Sequence, residues 1–181
     1  GFDARKNLRR TLEGYARLSD RCSADGAPCP VLVIAGRLPT VDSAVVPDPR
    51  LMVAELGLAD RVHLAGWVEE ADKPALYALA EGVLFLSEYE GFGLPVLEAM
   101  ACGTPVITSN VSSMPEITAD AGVLVPPNDI PALAQAIERL LSDPHERQYL
   151  STLGTQRAAR FTWQRTARET MMVYERILKT G

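Results

Sequence analysis

The sequence is poor in the residues from which disulfide-rich and metal-binding proteins are built. Its 181 residues include three cysteines and two histidines. The cysteines, Cys22, Cys29 and Cys102, have neither the even number of a disulfide framework nor the close spacing of a Cys-x-x-Cys metal site. They therefore favour reduced thiols in a cytoplasmic protein. His63 and His145 stand alone, and we interpret both as structural.

Long apolar runs and a basic charge are also lacking. No run approaches the roughly 18 apolar residues that a helix needs to cross a bilayer. The net charge is −5, which disfavours nucleic acid as a main partner. What the chain does have is an ordinary hydrophobic share of 47% and a length that fits one domain over residues 1–181.

Short apolar runs alternate with helical patterns along the whole chain. The runs are typical of buried strands, because they are continuous, short and bounded by turn residues. Strands separated by helices form a parallel sheet that is covered on both faces. We therefore predict an α/β fold with a doubly wound, Rossmann-like parallel sheet. The predicted strands are residues 31–35, 62–64, 83–86, 106–108 and 122–125.

The most informative stretch follows the third of these strands. Gly91 and Gly93 predict a sharp turn whose backbone can lie close to a ligand. Pro95 suits the first turn of a helix, and Gly103 suits the residue where that helix ends. The stretch therefore predicts a strand, a glycine turn and a short helix whose free N–H groups point outward and attract an anion.

Two carboxylates belong to the same turn and helix. Glu90 lies in the turn, and Glu98 lies about one helical turn inside, where its side chain leans back toward the start of the helix. Carboxylates accept hydroxyl protons and amides hold phosphates, so the pair indicates a sugar nucleotide as ligand. The alternative is that Glu90 is a solvated loop residue and that Glu98 only stabilises the first helical turn electrostatically.

The start of the chain carries a second indication of an anion. Asn7 is predicted to cap a helix through about residue 20. Four cations, Arg5, Lys6, Arg9 and Arg10, crowd its start, where they oppose the helix dipole. A bound anion would reverse the sign of that effect, whereas the alternative is a solvated basic face.

Residues 90–106 resemble the E-x7-E signature of the group 1 retaining glycosyltransferases of GT-B fold. Weaker matches to the same family are residues 5–8, residues 66–68 and residues 161–163. The resemblance covers nearly the whole chain, and it implies the C-terminal, donor-binding half of such an enzyme. A first strand and the acceptor lobe would then precede residue 1, so the chain is expected to be a fragment.

The resemblance also implies roles for single residues. Lys6 would contact the donor diphosphate. Many members also carry an Arg about where Gly1 stands in this chain, so either Arg5 substitutes for it or phosphate binding is weaker. Glu90 would contact the donor sugar as the catalytic carboxylate, and Glu98 would hold the ribose. The other expected binding residues, which face the base or supply backbone amides, are Trp67, Val68, Gly91, Phe92, Gly93 and Leu94. For Trp67, a buried structural aromatic is the alternative.

The implied reaction transfers a hexose, with mannose slightly favoured, from a GDP- or UDP-sugar with retention and without a bound metal or cofactor. The acceptor, a glycan or lipid in polysaccharide biosynthesis, would bind through the missing lobe. The full-length protein would be cytoplasmic or peripheral at the membrane, and residues 1–181 alone would bind donor without turnover. Apolar side chains of the final helix would lack their lobe and be exposed, namely Met171, Met172, Tyr174 and Ile177.

Other functions remain open at this point. A glycosidase also uses two carboxylates, but it has no use for a diphosphate clamp. A nicotinamide dehydrogenase would need a third glycine in the fingerprint and would place it after the first strand. A non-catalytic nucleotide-sugar binding or scaffold domain of the same fold is the main alternative.

Overall fold

Five short strands and eight α-helices alternate along residues 1–180, which are the residues that the structure, a computed structural model, describes. A 3₁₀ turn, Ala4–Lys6, precedes the first helix. The strands are β1 (Leu32–Ala35), β2 (Val62–Gly66), β3 (Val83–Phe85), β4 (Val106–Ser109) and β5 (Val123–Val125). The helices are α1 (Leu8–Asp25), α2 (Pro49–Glu55), α3 (Lys73–Ala78), α4 (Leu94–Ala101), α5 (Met114–Thr118), α6 (Ile130–Ser142), α7 (Pro144–Ala158) and α8 (Trp163–Thr180).

Every strand pair is parallel, which confirms the predicted α/β class. Parallel neighbours need a crossover connection, and the helices between the strands supply it. The strands form two sheets within residues 1–180, one of β1 and β2 and one of β3, β4 and β5. In the first sheet Leu32 lies opposite Val62, and in the second Val83 lies opposite Val106.

Residues 2–7 link the two sheets at the carboxyl ends of their strands. The Phe2 ring packs against Gly36, directly after β1. The Arg5 carbonyl accepts a hydrogen bond of 2.8 Å from the Glu88 N–H, just after β3. The segment that leads into α1 therefore runs between the ends of β1 and β3, at the edge where ligands bind in sheets of this kind.

The first strand differs from its prediction as a buried strand. Val33 in β1 is 44% exposed, and Val31 just before it is 58% exposed. Strand β1 pairs with β2 along one edge only, and within residues 1–180 one of its faces is left open to solvent. A continuous apolar run therefore does not guarantee burial where neighbouring elements cover only one side.

The core lies between the helices and the two sheets. Helix α1 packs on α6, and α4 packs on α7. The fit between α1 and α6 is close, because a Cβ added at Gly14 would lie 2.5 Å from the Leu133 side chain. The large side chains that are almost completely buried include Leu12, Leu86, Met100, Ile107 and Leu133.

Some helices begin with a side-chain cap, but the cap predicted at the start of α1 is wrong. The Asp129 side chain accepts from the Ala132 N–H, and the Asp143 side chain accepts from the N–H of Glu146. Asn7, which the sequence predicts as a cap, makes no capping hydrogen bond. Its side chain instead donates to the carbonyls of Leu86 and Pro127, at 3.2 and 2.8 Å. The Asn7 side-chain amide, instead of capping α1, thus ties the start of that helix to the end of β3.

Helix α8 exposes the four apolar side chains that the sequence predicts to be exposed. Met171 is 54% exposed, Met172 61%, Tyr174 56% and Ile177 62%. None of the helices in residues 1–180 combines the length and the apolar character that crossing a bilayer requires.

Candidate functional site

Lys6 and Glu90 form an ion pair across 84 residues of sequence. The turn Ala4–Lys6 delivers the ammonium group, and the loop after β3 delivers the carboxylate. The side chains are only 26% and 11% exposed, so their charges attract more strongly than on an open surface. The Lys6 Nζ also lies 4.9 Å from the centroid of the Phe85 ring, a cation–π arrangement.

Three serine hydroxyls fix the loop that carries Glu90. Ser87 donates to the Glu90 carboxylate at 3.0 Å. Ser112 accepts from the Glu90 N–H at 3.1 Å and donates to the Glu90 carbonyl at 2.6 Å, and Ser113 donates to the same carbonyl at 3.0 Å. Sequence reasoning missed all three residues. Ser87 carried a signal, because it follows a strand directly and stands three residues before Glu90.

Gly93 makes the sharp turn that begins α4. Its φ of 109° is one that side chains rarely adopt, and a Cβ there would lie 2.3 Å from the Met114 Cε. Gly91 has no such requirement, since an added Cβ would meet nothing within 4 Å. The turn around Gly93 is therefore the one that demands a glycine.

The turn presents four consecutive backbone donors. Within residues 1–180, the N–H groups of Gly91, Phe92, Gly93 and Leu94 have no hydrogen-bond acceptor. Leu94 and Phe92 are also exposed, at 50% and 42%. Free N–H groups at a helix start, with the positive end of the helix dipole behind them, form an environment for an anion.

Glu98 lies on α4 and is held by a tyrosine that sequence reasoning missed. The Tyr77 hydroxyl, on α3, donates to the Glu98 Oε2 at 3.1 Å. Burial, and then the neighbouring Glu98 charge, raise the pKa of Tyr77. The Thr104 hydroxyl donates a hydrogen bond of 2.7 Å to the Tyr77 carbonyl. One carboxylate oxygen of Glu98 is thus fixed by the protein.

The remaining predicted residues have partners of their own. The Arg5 guanidinium pairs with Asp3 at 3.2 Å, so only its backbone joins the loop after β3. Trp67 follows β2, is 54% exposed and donates to Glu69 at 2.9 Å, while Val68 is half-buried. The Phe92 ring meets the Phe161 ring edge-on, with centroids 6.0 Å apart.

The structure thus joins some of the predicted residues by direct contacts and shows no such contact for others. Lys6, Glu90 and the turn around Gly93 form one cluster at the carboxyl end of β3. Trp67 and Glu98 make no hydrogen bond or ion pair with Lys6 or Glu90 within the described part of the chain. Across residues 1–180, no group of three His, Cys, Asp or Glu side chains is arranged to hold a metal ion.

Comparison with known proteins matches this chain to one family. The model of the family described as "Glycosyl transferases group 1" matches residues 2–157. The chain is 41% identical over 175 residues to the O-antigen chain mannosyltransferase B of Escherichia coli, which covers 96% of this chain. It is 40% identical over 131 residues, or 70% of this chain, to the MMP alpha-(1->4)-mannosyltransferase of Mycolicibacterium hassiacum.

A solved structure shares the fold over nearly the whole chain. Sucrose-phosphate synthase from Thermosynechococcus elongatus superimposes with a TM-score of 0.83 and 32% identity over 99% of this chain. The aligned part is 44% of that structure, and the matches to the two mannosyltransferases span 44% and 32% of their lengths. The chain therefore spans less than half the length of each of these three relatives.

Proposed function

The chain belongs to the group 1 glycosyl transferases, and from that membership we propose that it is the donor-binding domain of a retaining hexosyltransferase. Its donor is a nucleotide-diphosphate sugar. The observation that carries the proposal is the Lys6–Glu90 pair beside the four free N–H groups at the start of α4. A cation, a carboxylate and a row of amide donors match the phosphates and the hydroxyls of such a donor.

The diphosphate is the group that these donors hold. The ammonium of Lys6 and the N–H groups of Gly93 and Leu94 stabilise the charge that collects on the phosphates when the sugar–phosphate bond breaks. Donors fixed in advance need no reorganisation during the reaction, and they are often the largest contribution to catalysis. Lys6 exchanges its partner when the donor binds, from the Glu90 carboxylate to a phosphate oxygen.

The two carboxylates hold the two sugars of the donor. Once Lys6 turns to the phosphates, the Glu90 carboxylate accepts hydrogen bonds from hydroxyls of the transferred sugar. Ser87 keeps that carboxylate in place. Glu98 accepts from the ribose through the oxygen that Tyr77 does not occupy. Trp67 and Val68, at the carboxyl end of β2, face the base. Arg5 supports the phosphates in place of another arginine once its guanidinium leaves Asp3.

The reaction breaks the bond between the anomeric carbon and the diphosphate, and an acceptor hydroxyl takes its place on the same face of the sugar. The electron pair of the broken bond leaves with the diphosphate, where Lys6 and the backbone amides stabilise it. The hydroxyl proton leaves with the phosphate oxygens. Glu90 contributes by orienting the sugar as its anomeric carbon becomes cationic.

Mannose is the favoured sugar, because both mannosyltransferases compared above share about two-fifths of their aligned residues with this chain. GDP-mannose is accordingly the first donor to test, and UDP-sugars are the second. The acceptor is a glycan or lipid in polysaccharide biosynthesis. It binds to a second lobe that precedes this domain.

The second lobe is joined to this domain by a strand. Residues 2–7 bridge the carboxyl ends of β1 and β3, and each of those strands has one unpaired edge within residues 1–180. A strand preceding residue 1 fits between them and joins the two sheets. The exposed apolar face of α8 packs against the same lobe. Residues 1–181 alone bind donor and do not transfer it.

A thermal-shift panel of GDP-mannose, UDP-glucose and ADP-glucose tests the proposal. A donor at 100 times its Kd adds about 2.7 kcal/mol to the free energy of unfolding, so one donor is expected to raise the Tm clearly. Lys6→Ala and Glu98→Ala should abolish the shift. Glu88→Ala removes an exposed carboxylate from the same loop and should leave it intact. A chain that binds none of the three would instead favour a non-catalytic scaffold domain.

A further inference from the structure

Helix α1 ends in a turn that folds the chain back on itself. Gly26 has a φ of 64°, and the Ala27 N–H donates to the Cys22 carbonyl at 2.9 Å. This is the hydrogen bond that closes a helix with a left-handed residue. The chain therefore turns back along α1, which brings the segment that carries Cys29 toward Cys22 although six residues separate the two cysteines.

Tyr15 fixes the returning segment against the helix. Its hydroxyl donates to the Pro30 carbonyl at 2.6 Å, and the Cys29 thiol donates to the same hydroxyl across 3.8 Å. Tyr15 lies two helical turns before Cys22, on the same face of α1. Both cysteines are partly buried and pack against the same core cluster, so the backbone on either side of the pair is held in place.

Cys29 also lies close enough to Cys22 to affect its ionisation. Burial, followed by the contact with Cys29, raises the pKa of Cys22. A raised pKa keeps this thiol protonated at neutral pH, and all three cysteines are free in the structure. The pair is therefore stable in the reduced form and needs an oxidant before it reacts.

From this juxtaposition we propose that Cys22 and Cys29 are a reversible oxidation site that closes an intramolecular disulfide between the end of α1 and the segment before β1. The S–S bond forms as both thiols lose their protons and two electrons pass to the oxidant. With oxidised glutathione, the oxidant is itself a disulfide and leaves as two glutathione thiols.

The bond would fix the end of α1 that lies opposite Lys6. Closing a loop this short lowers the entropy of the unfolded chain, which raises the Tm by about 5 °C in a domain of this size. The site does not depend on the proposed donor chemistry, because neither cysteine belongs to the cluster around Glu90.

Peptide mapping after incubation with oxidised glutathione tests the proposal. Trypsin releases residues 22–37 as one peptide that contains both cysteines and no internal Lys or Arg. Oxidation is expected to lower the mass of this peptide by about 2 Da and to block its alkylation. Cys22→Ser and Cys29→Ser should each abolish the change, and Cys102→Ser should preserve it.

The same mapping in urea shows whether the fold, rather than the short spacing of the two cysteines in sequence, promotes the disulfide. The equilibrium between the protein disulfide and glutathione is expected to favour the disulfide at least about tenfold more in the native protein than in the denatured chain. Equal values in the two states would overturn the proposal. So would a native protein that keeps both thiols free or carries glutathione on one of them.

Discussion

The Lys6 ammonium lies against the Glu90 carboxylate. We propose that a bound donor separates the pair, with its phosphates on Lys6 and its sugar hydroxyls on Glu90. In the structure, the carboxylate also accepts from Ser87, whereas Lys6 has the Phe85 ring on one side. Because the Lys6 ammonium has no second hydrogen-bond partner among the described residues, the lysine is the partner that can turn to another acceptor. The carboxylate is the partner that the Ser87 hydroxyl keeps in place.

Glu90→Gln is expected to separate phosphate binding from sugar binding. The amide keeps the shape of the side chain but releases Lys6, so a nucleoside diphosphate should bind equally well or several-fold more tightly. The corresponding nucleotide sugar should lose roughly tenfold or more in affinity, because a charged acceptor of its hydroxyls is gone. Isothermal titration of both ligands measures the difference. A parallel loss for both would mean that Glu90 does not contact the sugar.

Gly93→Ala is expected to destabilise the fold by about 2–3 kcal/mol, because it combines a strained φ with an overlap. The added Cβ would lie 2.3 Å from the Met114 Cε. Gly91→Ala is the matched control two residues away and should change the free energy of unfolding by less than about 0.5 kcal/mol. Urea denaturation of both variants measures the difference.

A double variant separates the two causes. Replacing Met114 by Ala removes the atom that the new Cβ would strike, so Gly93→Ala should cost less in that background than in the wild type. If the cost is unchanged, backbone strain alone accounts for it.

The parts of the site that local sequence patterns predict are those in one continuous stretch. The strand, the glycine turn and the helix after it follow from local patterns, so Glu90, Gly93 and Glu98 were found from residue types and spacing. The parallel α/β class followed in the same way, because alternating strands and helices leave few other arrangements.

The parts that could not be predicted depend on contacts between distant segments. Tyr77 belongs to an ordinary helical pattern, and its contact with Glu98 exists only because α3 packs on α4. Asn7 has the residue type and position of a cap, but its amide is drawn to the end of β3 instead. The exposure of Val33 depends on which neighbours cover β1, and no local pattern contains that information.

Tyr77→Phe is expected to impair donor binding while leaving most of the ring packing intact. Without the hydroxyl, both Glu98 oxygens are free to rotate away from the ribose, so the Kd for the donor, measured by isothermal titration, should rise about threefold to tenfold. Thr104→Val offers a comparison, because it loosens the Tyr77 backbone but keeps the hydroxyl. An unchanged donor affinity in Tyr77→Phe would show that Glu98 needs no such support.

Stability at alkaline pH depends on the same tyrosine and on Tyr15. Burial is the first cause of the raised pKa of both. In the unfolded chain a tyrosine ionises near pH 10, whereas in the fold these two stay protonated. Their contribution is therefore fully present below about pH 10 and is lost above it, because unfolding then releases protons.

The expected slope is a loss of up to about 1.4 kcal/mol per pH unit for each such tyrosine above pH 10. Urea denaturation at a series of pH values from 8 to about 11 measures it. Tyr15→Phe and Tyr77→Phe should each flatten the slope, although each also lowers stability at pH 8 through its lost hydrogen bond. Tyr149→Phe, at a position 63% exposed, should leave the slope unchanged. If the slope in all three variants equals that of the wild type, other groups govern alkaline unfolding.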